Sequence, residues 1–134
     1  MIAKKTDFVE ILQGLFLVKD LKGKKFSLIV SKNIKLIQDS LKDLEHQGMP
    51  SQEFIELANK IKALSTDLTE ESKEQIKLLE EENASIIDER KAQIAEIKER
   101  LDEELELELI PMKEDVLPED ISTEQLMALE KIIQ

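Results

Sequence analysis

A chain of 134 residues with 37% charged side chains and a formal net charge of −11 has the length of one domain. Its acidic balance argues against nucleic acid as a direct partner. With no cysteine, one histidine and only three glycines, it excludes a disulfide framework, Cys-based metal sites and a Gly-rich phosphate loop, and it fits a reducing compartment.

The N-terminal residues Met1–Asp7 (MIAKKTD) lead into an apolar run broken by Glu10, Gln13 and Gly14, so a signal peptide is not expected. Thr6 is the expected cap of a first helix from Asp7 to about Val18, with Phe8, Ile11, Leu12, Leu15 and Phe16 on one face. Gly14 marks either close helix–helix approach or an early helix end. Lys19–Lys25 is a polar connector that turns at Gly23. Phe26, Val30, Ile34, Ile37, Leu41 and Leu44 then follow at steps of three and four, one apolar stripe of a second helix. Leu28–Val30 alone would suit a strand, but the stripe runs through it.

His46–Pro50 is a stop, with Gly48 expected in the left-handed position after the helix. Ser51 caps a third helix whose face is Phe54, Ile55, Leu57, Ala58, Ile61 and Leu64. From Leu68 to Glu108 the chain has no Gly, Pro or aromatic residue, and one long acidic helix is expected over 69–103. Its first half fits a heptad at Ile76, Leu79, Asn83 and Ile86, and its second half fits another at Ile87, Arg90, Ile94, Ile97 and Leu101. The frames differ by one residue, which implies a change of winding near Ala84–Ile87. Asn83 is either a register-setting seam residue or a solvent-facing one.

Glu104–Leu109 alternates strictly, and a helix would scatter its leucines, so a short strand is expected over 104–110, ended by Pro111. Its partner is expected to be Leu17–Leu21, Leu28–Val30 or another chain, since unpaired backbone groups are costly. Ser122 and Gln125 form a capping box for a last helix over 122–133, with Ile121 placed to staple against Leu126. That helix is expected to bury Leu126, Leu129 and Ile132 or Ile133. No stretch approaches the roughly 20 apolar residues of a membrane span.

Little here points to chemistry. His46, at a helix end, suits the helix dipole and has no His or Cys partner. Glu70, Glu71 and Glu74, or Glu80–Glu82, would hold a divalent cation only loosely, because no D-x-D-x-D-G turn converges them. No metal, cofactor or catalytic residue is expected. Charge is lopsided: residues 1–64 carry 11 Lys and 8 Asp/Glu, and residues 65–134 carry 6 Lys, 2 Arg and 22 Asp/Glu. The acidic half is either a solvated face or a docking surface for a basic partner.

The segments FVEILQGLFLV, KFSLIVSKNIKLIQDSLKDL, EELELELIPM and LPEDISTEQLMALEKII, in that order, give a layout that resembles a group of small tailed-phage proteins of unknown function from low-GC bacteria. The resemblance implies phage biology beside larger proteins and assigns no residue a role.

The expectation is a mostly α protein: one elongated helical domain over 1–134, with a hairpin or bundle over 7–66, a coiled-coil-like acidic helix, a short strand and a docked C-terminal helix. Its expected role is non-enzymatic interaction in virion structure or assembly, as a scaffold, chaperone or adaptor. It would act in the host cytoplasm or on the virion, as a homo-oligomer or hetero-complex, without membrane or nucleic acid. Association would use Ile76, Leu79, Ile87, Ile94, Ile97 and Leu101, with Leu105, Leu107 and Leu109 of the strand. The alternative is an acidic inhibitor of a host nucleic-acid-binding or defence protein, acting through Glu80, Glu81, Glu82, Asp88, Glu89, Glu96 and Glu99. A small enzyme or metal protein is the third reading.

Overall fold

The computed structural model describes residues 1–67 and 69–134; Leu68, where the Glu-rich stretch begins, lies outside the described residues. The chain is mostly α: β1 (Ile2–Lys4), α1 (Lys5–Val18), α2 (Lys24–Gly48), α3 (Gln52–Ser65), α4 (Glu70–Glu82), α5 (Ala84–Leu101), β2 (Glu104–Glu106) and α6 (Thr123–Ala128). The structure has two compact units, Met1–Leu44 with Glu99–Gln134, and Glu45–Lys98.

The first unit is organised around an extended segment, residues 104–112, whose backbone groups find partners in three places. The first is the N-terminus. β2 pairs antiparallel with β1 in the register Ile2↔Glu106, Ala3↔Leu105 and Lys4↔Glu104. The pairing continues with Leu107 N–H donating to the Met1 carbonyl at 2.9 Å and the Met1 ammonium donating to the Leu107 carbonyl at 2.8 Å. This corrects the expected partners: neither Leu17–Leu21 nor Leu28–Val30 is a strand, because both lie in or beside helices that hold their own hydrogen bonds. The pairing is within the chain.

The second partner is a side chain. Asn33 of α2 is fully buried. Its Nδ2 donates to the Ile110 carbonyl at 2.9 Å, and its Oδ1 accepts from Ile110 N–H at 2.8 Å. One carboxamide thus replaces a neighbouring strand at that residue. The third partner is the C-terminal tail: Met112 N–H donates to the Ile132 carbonyl at 2.9 Å, and Gln134 N–H to the Met112 carbonyl at 2.7 Å. Between them Pro111 has no N–H to satisfy.

The pleat of this segment turns Leu105, Leu107 and Leu109 toward the core and leaves Glu104, Glu106 and Glu108 in water. The core itself is Phe8, Ile11, Leu15 and Val18 of α1, Phe26, Val30, Ile37 and Leu41 of α2, and Met112, Leu129 and Ile132. Full burial of each Leu, Ile or Phe contributes about 1.5–3 kcal/mol. The α2 stripe is therefore as expected, with Asn33 added to it. On α1 the expected face shifts by a fraction of a turn: Val18 is buried, while Phe16 is 40% exposed with the Lys19 ammonium 5.6 Å from its ring centre.

Three local expectations are corrected. The cap of α1 is Lys4 and not Thr6, because β1 ends there and the Asp7 carboxylate reaches back to Lys4 N–H at 3.2 Å. Gly48 is the last residue of α2 with negative φ, and the left-handed glycine is Gly23, φ 140°, where the chain turns into α2. The last helix stops at Ala128; Leu129 and Ile132 are buried, but Leu126 stays 36% exposed, because the tail leaves the helix to pair with Met112. The capping box is present: Gln125 N–H donates to Ser122 Oγ at 3.1 Å, and Ser122 N–H to Gln125 Oε1 at 2.9 Å.

Docking of α6 on α1 explains Gly14. A Cβ built there would overlap the Ala128 carbonyl, so only glycine permits the approach. Lys131 then bridges back, its Nζ 3.2 Å from Asp7 and 3.0 Å from Glu10. The hydrogen bond from Lys131 holds the Asp7 carboxyl below its ordinary value, and the Glu10 and Asp7 carboxylates raise the Lys131 ammonium.

Two outcomes follow for stability. Asn33→Ala leaves the Ile110 N–H and C=O without partners in the core, a loss of about 2–4 kcal/mol. Urea unfolding will show it, and Asn33→Asp will give incomplete rescue, since a carboxylate can accept from Ile110 but not donate. For the ion pair, Asp7 titrates lower when folded, so its stabilisation exists above the ordinary carboxylate range and is lost as pH falls through the depressed value. Lys131 titrates higher when folded, so its share exists below the ordinary lysine range and is lost as pH rises through the raised value. Lys131→Met will therefore melt below wild type at neutral pH, and the gap will close at strongly acid and strongly alkaline pH.

Candidate functional site

The second unit, Glu45–Lys98, has local order that follows from its caps. Ser51 Oγ accepts from Phe54 N–H at 3.2 Å to start α3, and Thr69 Oγ1 accepts from Ser72 N–H at 3.2 Å to start α4. On α3, Leu57 is buried, Phe54, Ile61 and Leu64 are half-buried, and Ile55 and Ala58 are exposed.

The stretch expected as one helix over 69–103 forms two, broken at Asn83. Asn83 leaves the helical region at φ −115°, ψ 27°. Its Nδ2 donates to the Leu79 carbonyl at 2.9 Å, the same carbonyl its backbone N–H bonds at 3.1 Å. Asparagine competes with the backbone in this way, which is why it is a poor interior helix residue.

The heptad nonetheless keeps one frame across the break. Ser72, Ile76, Leu79, Asn83, Ile86, Arg90, Gln93, Ile97 and Arg100 are all buried or half-buried, at steps of four and three. Of the expected second frame, Arg90 and Ile97 lie on this seam, but its other three positions fall one residue off: Ile87 and Leu101 flank the seam half-buried, and Ile94 is 39% exposed. Reading apolar residues alone misses the true frame, because more than half of its α5 positions are polar.

Those polar seam residues do a specific job. The last carbonyls of a helix have no partner within it. Arg90 donates to the Gly48 carbonyl at 2.8 Å, and Gln93 donates to the Gln47 and Met49 carbonyls at 2.6 and 2.8 Å. Arg90 also bonds Gln93 Oε1 at 2.7 Å and stands 5.7 Å from the Phe54 ring centre. A cation at a helix C-terminus is favoured by the dipole. Ile97 packs directly on Gly48, where a Cβ would meet its Cδ1 at 3.0 Å. Gln47 Nε2 reaches Glu96 at 2.9 Å. Sequence reasoning places Arg90 at a seam position but misses Gln93 and the role of the two as helix-end donors; the signal for Gln93 is its spacing from Asn83 in the first frame.

Of the expected association residues, Ile76 and Leu79 lie on α4 and Ile87, Ile94, Ile97 and Leu101 on α5, all partly open to solvent. Leu105, Leu107 and Leu109 are instead packed against the first unit's core. The acidic residues Glu80, Glu81, Glu82, Asp88, Glu89, Glu96 and Glu99 are exposed, and among the described residues none of them has an ion-pair partner within 4.0 Å. Lys77, Glu80, Glu81, Ala84, Ile87, Asp88 and Lys91 line an open concavity of about 600 Å³ at the break. His46 is exposed near the end of α2. Among the described residues no three His, Asp or Glu side chains converge on a metal position, and no helix is long and apolar enough to cross a membrane.

No protein-family model, curated protein or solved structure shows a significant match to this chain.

The seam predicts a graded response at Gln93. Gln93→Ala removes two donors from the Gln47 and Met49 carbonyls and should cost about 1–2 kcal/mol. Gln93→Glu sets a carboxylate against the same carbonyls and should cost more, read as a lower urea midpoint than that of Gln93→Ala.

Proposed function

We propose that this chain is a non-enzymatic interaction protein that binds a protein partner through the Leu/Ile faces of α4 and α5, in the setting of tailed-phage virion structure or assembly. One observation carries the reading: in the second unit Leu57 is the one fully buried hydrophobic residue among the described residues, while Ile76, Leu79, Ile86, Ile87 and Ile97 are only half-covered and Leu78 and Ile94 stand 55% and 39% exposed. Covering the remaining area of each such side chain contributes on the order of 1 kcal/mol at about 25 cal/mol per Å². A protein partner, either a second copy or a larger phage component, supplies that cover. The phage setting rests on the resemblance in layout and puts the protein in the host cytoplasm or on the particle.

A second reading is favoured by a different observation. The carboxylates of Glu80, Glu81, Glu82, Asp88 and Glu89 are exposed and unpaired among the described residues, which suits an acidic inhibitor that docks on a basic host protein. Salt separates the two readings. Complexes formed through the apolar faces persist at about 1 M salt, whereas acid-face complexes dissociate as the Debye length falls to about 3 Å.

The test is recovery of the tagged protein with its complexes from infected cells, for wild type and Ile94→Asp. The expected result is a salt-resistant complex, in the virion or its precursors, that Ile94→Asp abolishes without lowering the melting temperature. A complex with a host protein, rather than with copies of the chain itself, that survives Ile94→Asp and dissolves in salt favours the inhibitor.

A further inference from the structure

The first unit carries two surfaces that complement each other, and they are independent of the α4–α5 faces just discussed. One is the outer side of α2. Residues 21–38 contain five lysines and no acid. Opposite the buried stripe, Leu28 is 50% exposed and Leu36 39% exposed, with Lys25, Lys32 and Lys35 beside them. This is a basic helix face with two apolar anchors about two turns apart, bounded at its far end by the exposed Asp39, one turn beyond Lys35.

The other surface is the groove where α6 lies on α1. It has a volume of about 360 Å³ and is lined by Glu10, Gln13, Leu17, Met127 and Glu130, with Ile11 and Gly14 at its floor. Leu17 is 49% exposed and Met127 69%. Lys131 also lines the groove and is held by Asp7 and Glu10, so the lining acids Glu10 and Glu130 outnumber the one cation. Methionine is unbranched and adapts to the side chain it meets. The groove offers an apolar slot with a negative rim, and α2 offers apolar anchors with positive flanks.

We propose that the Leu28–Leu36 face of α2 in one copy of this chain seats in the Leu17–Met127 groove of a second copy. Such a contact joins unlike patches, so it either closes by reciprocation or propagates. Because both faces carry charge, assembly is steered electrostatically and weakens with salt, unlike complexes made through Ile94.

Sedimentation of the purified full chain tests this with a charge exchange. Lys32→Glu/Lys35→Glu and Glu10→Lys/Glu130→Lys should each weaken self-association by about tenfold or more, and an equal mixture of the two should restore it. Met127→Asp, at an exposed position, should do the same as either charge variant while leaving the melting temperature unchanged. Ile94→Asp should leave this association intact, which separates it from the α4–α5 reading. A chain that is monomeric at every concentration, an oligomer indifferent to these substitutions, or a mixture that fails to restore association overturns the proposal. So does a finding that Lys32→Glu/Lys35→Glu abolishes binding to anionic vesicles or RNA while self-association is unchanged.

Discussion

An extended segment outside a large sheet must find partners for its buried N–H and C=O groups, and residues 104–112 find them at three places without a third strand among the described residues. The N-terminal residues take one end, the Asn33 carboxamide takes Ile110, and the C-terminal tail takes Met112. Each partner comes from a different region of the chain, so the segment ties the start, the second helix and the end into one unit. The Leu105, Leu107 and Leu109 side chains then add their apolar area to the aliphatic core of α1 and α2. Without those hydrogen bonds the hydrophobic gain loses its geometry, because a leucine ladder on an unsatisfied backbone would stay in water.

The second unit solves a related problem with different means. The open carbonyls at the end of α2 are met by Arg90 and Gln93 from the α5 seam. Those two residues occupy heptad positions that would otherwise hold leucine or isoleucine. The seam therefore secures a helix end at the expense of apolar burial, and α5 has no fully buried residue. The same choice leaves the Leu/Ile side chains of α5 only half-covered or exposed.

The features legible in the amino-acid sequence are the local ones. The α2 stripe, the caps at Ser51 and Ser122, the helix start near Thr69 and the strand at Glu104 follow from spacing, capping chemistry and alternation. The illegible features are non-local or polar. The partner of β2 lies in Met1–Lys4, a stretch with no strand signature, where pairing depends on α1 beginning early at Lys5. Asn33 looks like a surface residue on an otherwise apolar stripe until Ile110 is placed against it. Asn83 is recognisable as a seam residue, yet its effect, a break in the helix, comes from competition for the Leu79 carbonyl that a heptad count ignores. Following apolar residues alone leads to Ile87, Ile94 and Leu101, one step away from the frame that Ile86, Arg90, Gln93 and Ile97 share.

The first unit encloses a core of buried side chains from α1, α2 and the tail, whereas in the second Leu57 is the one buried hydrophobic residue among the described residues. Native-state hydrogen exchange on the isolated chain in dilute solution measures that contrast residue by residue. The amides of Ile110, Val30 and Leu15 are expected to exchange only through global unfolding, while those of α4 and α5 exchange orders of magnitude faster. An α5 as protected as α1, or an Ile110 amide that exchanges like an open loop, would contradict it.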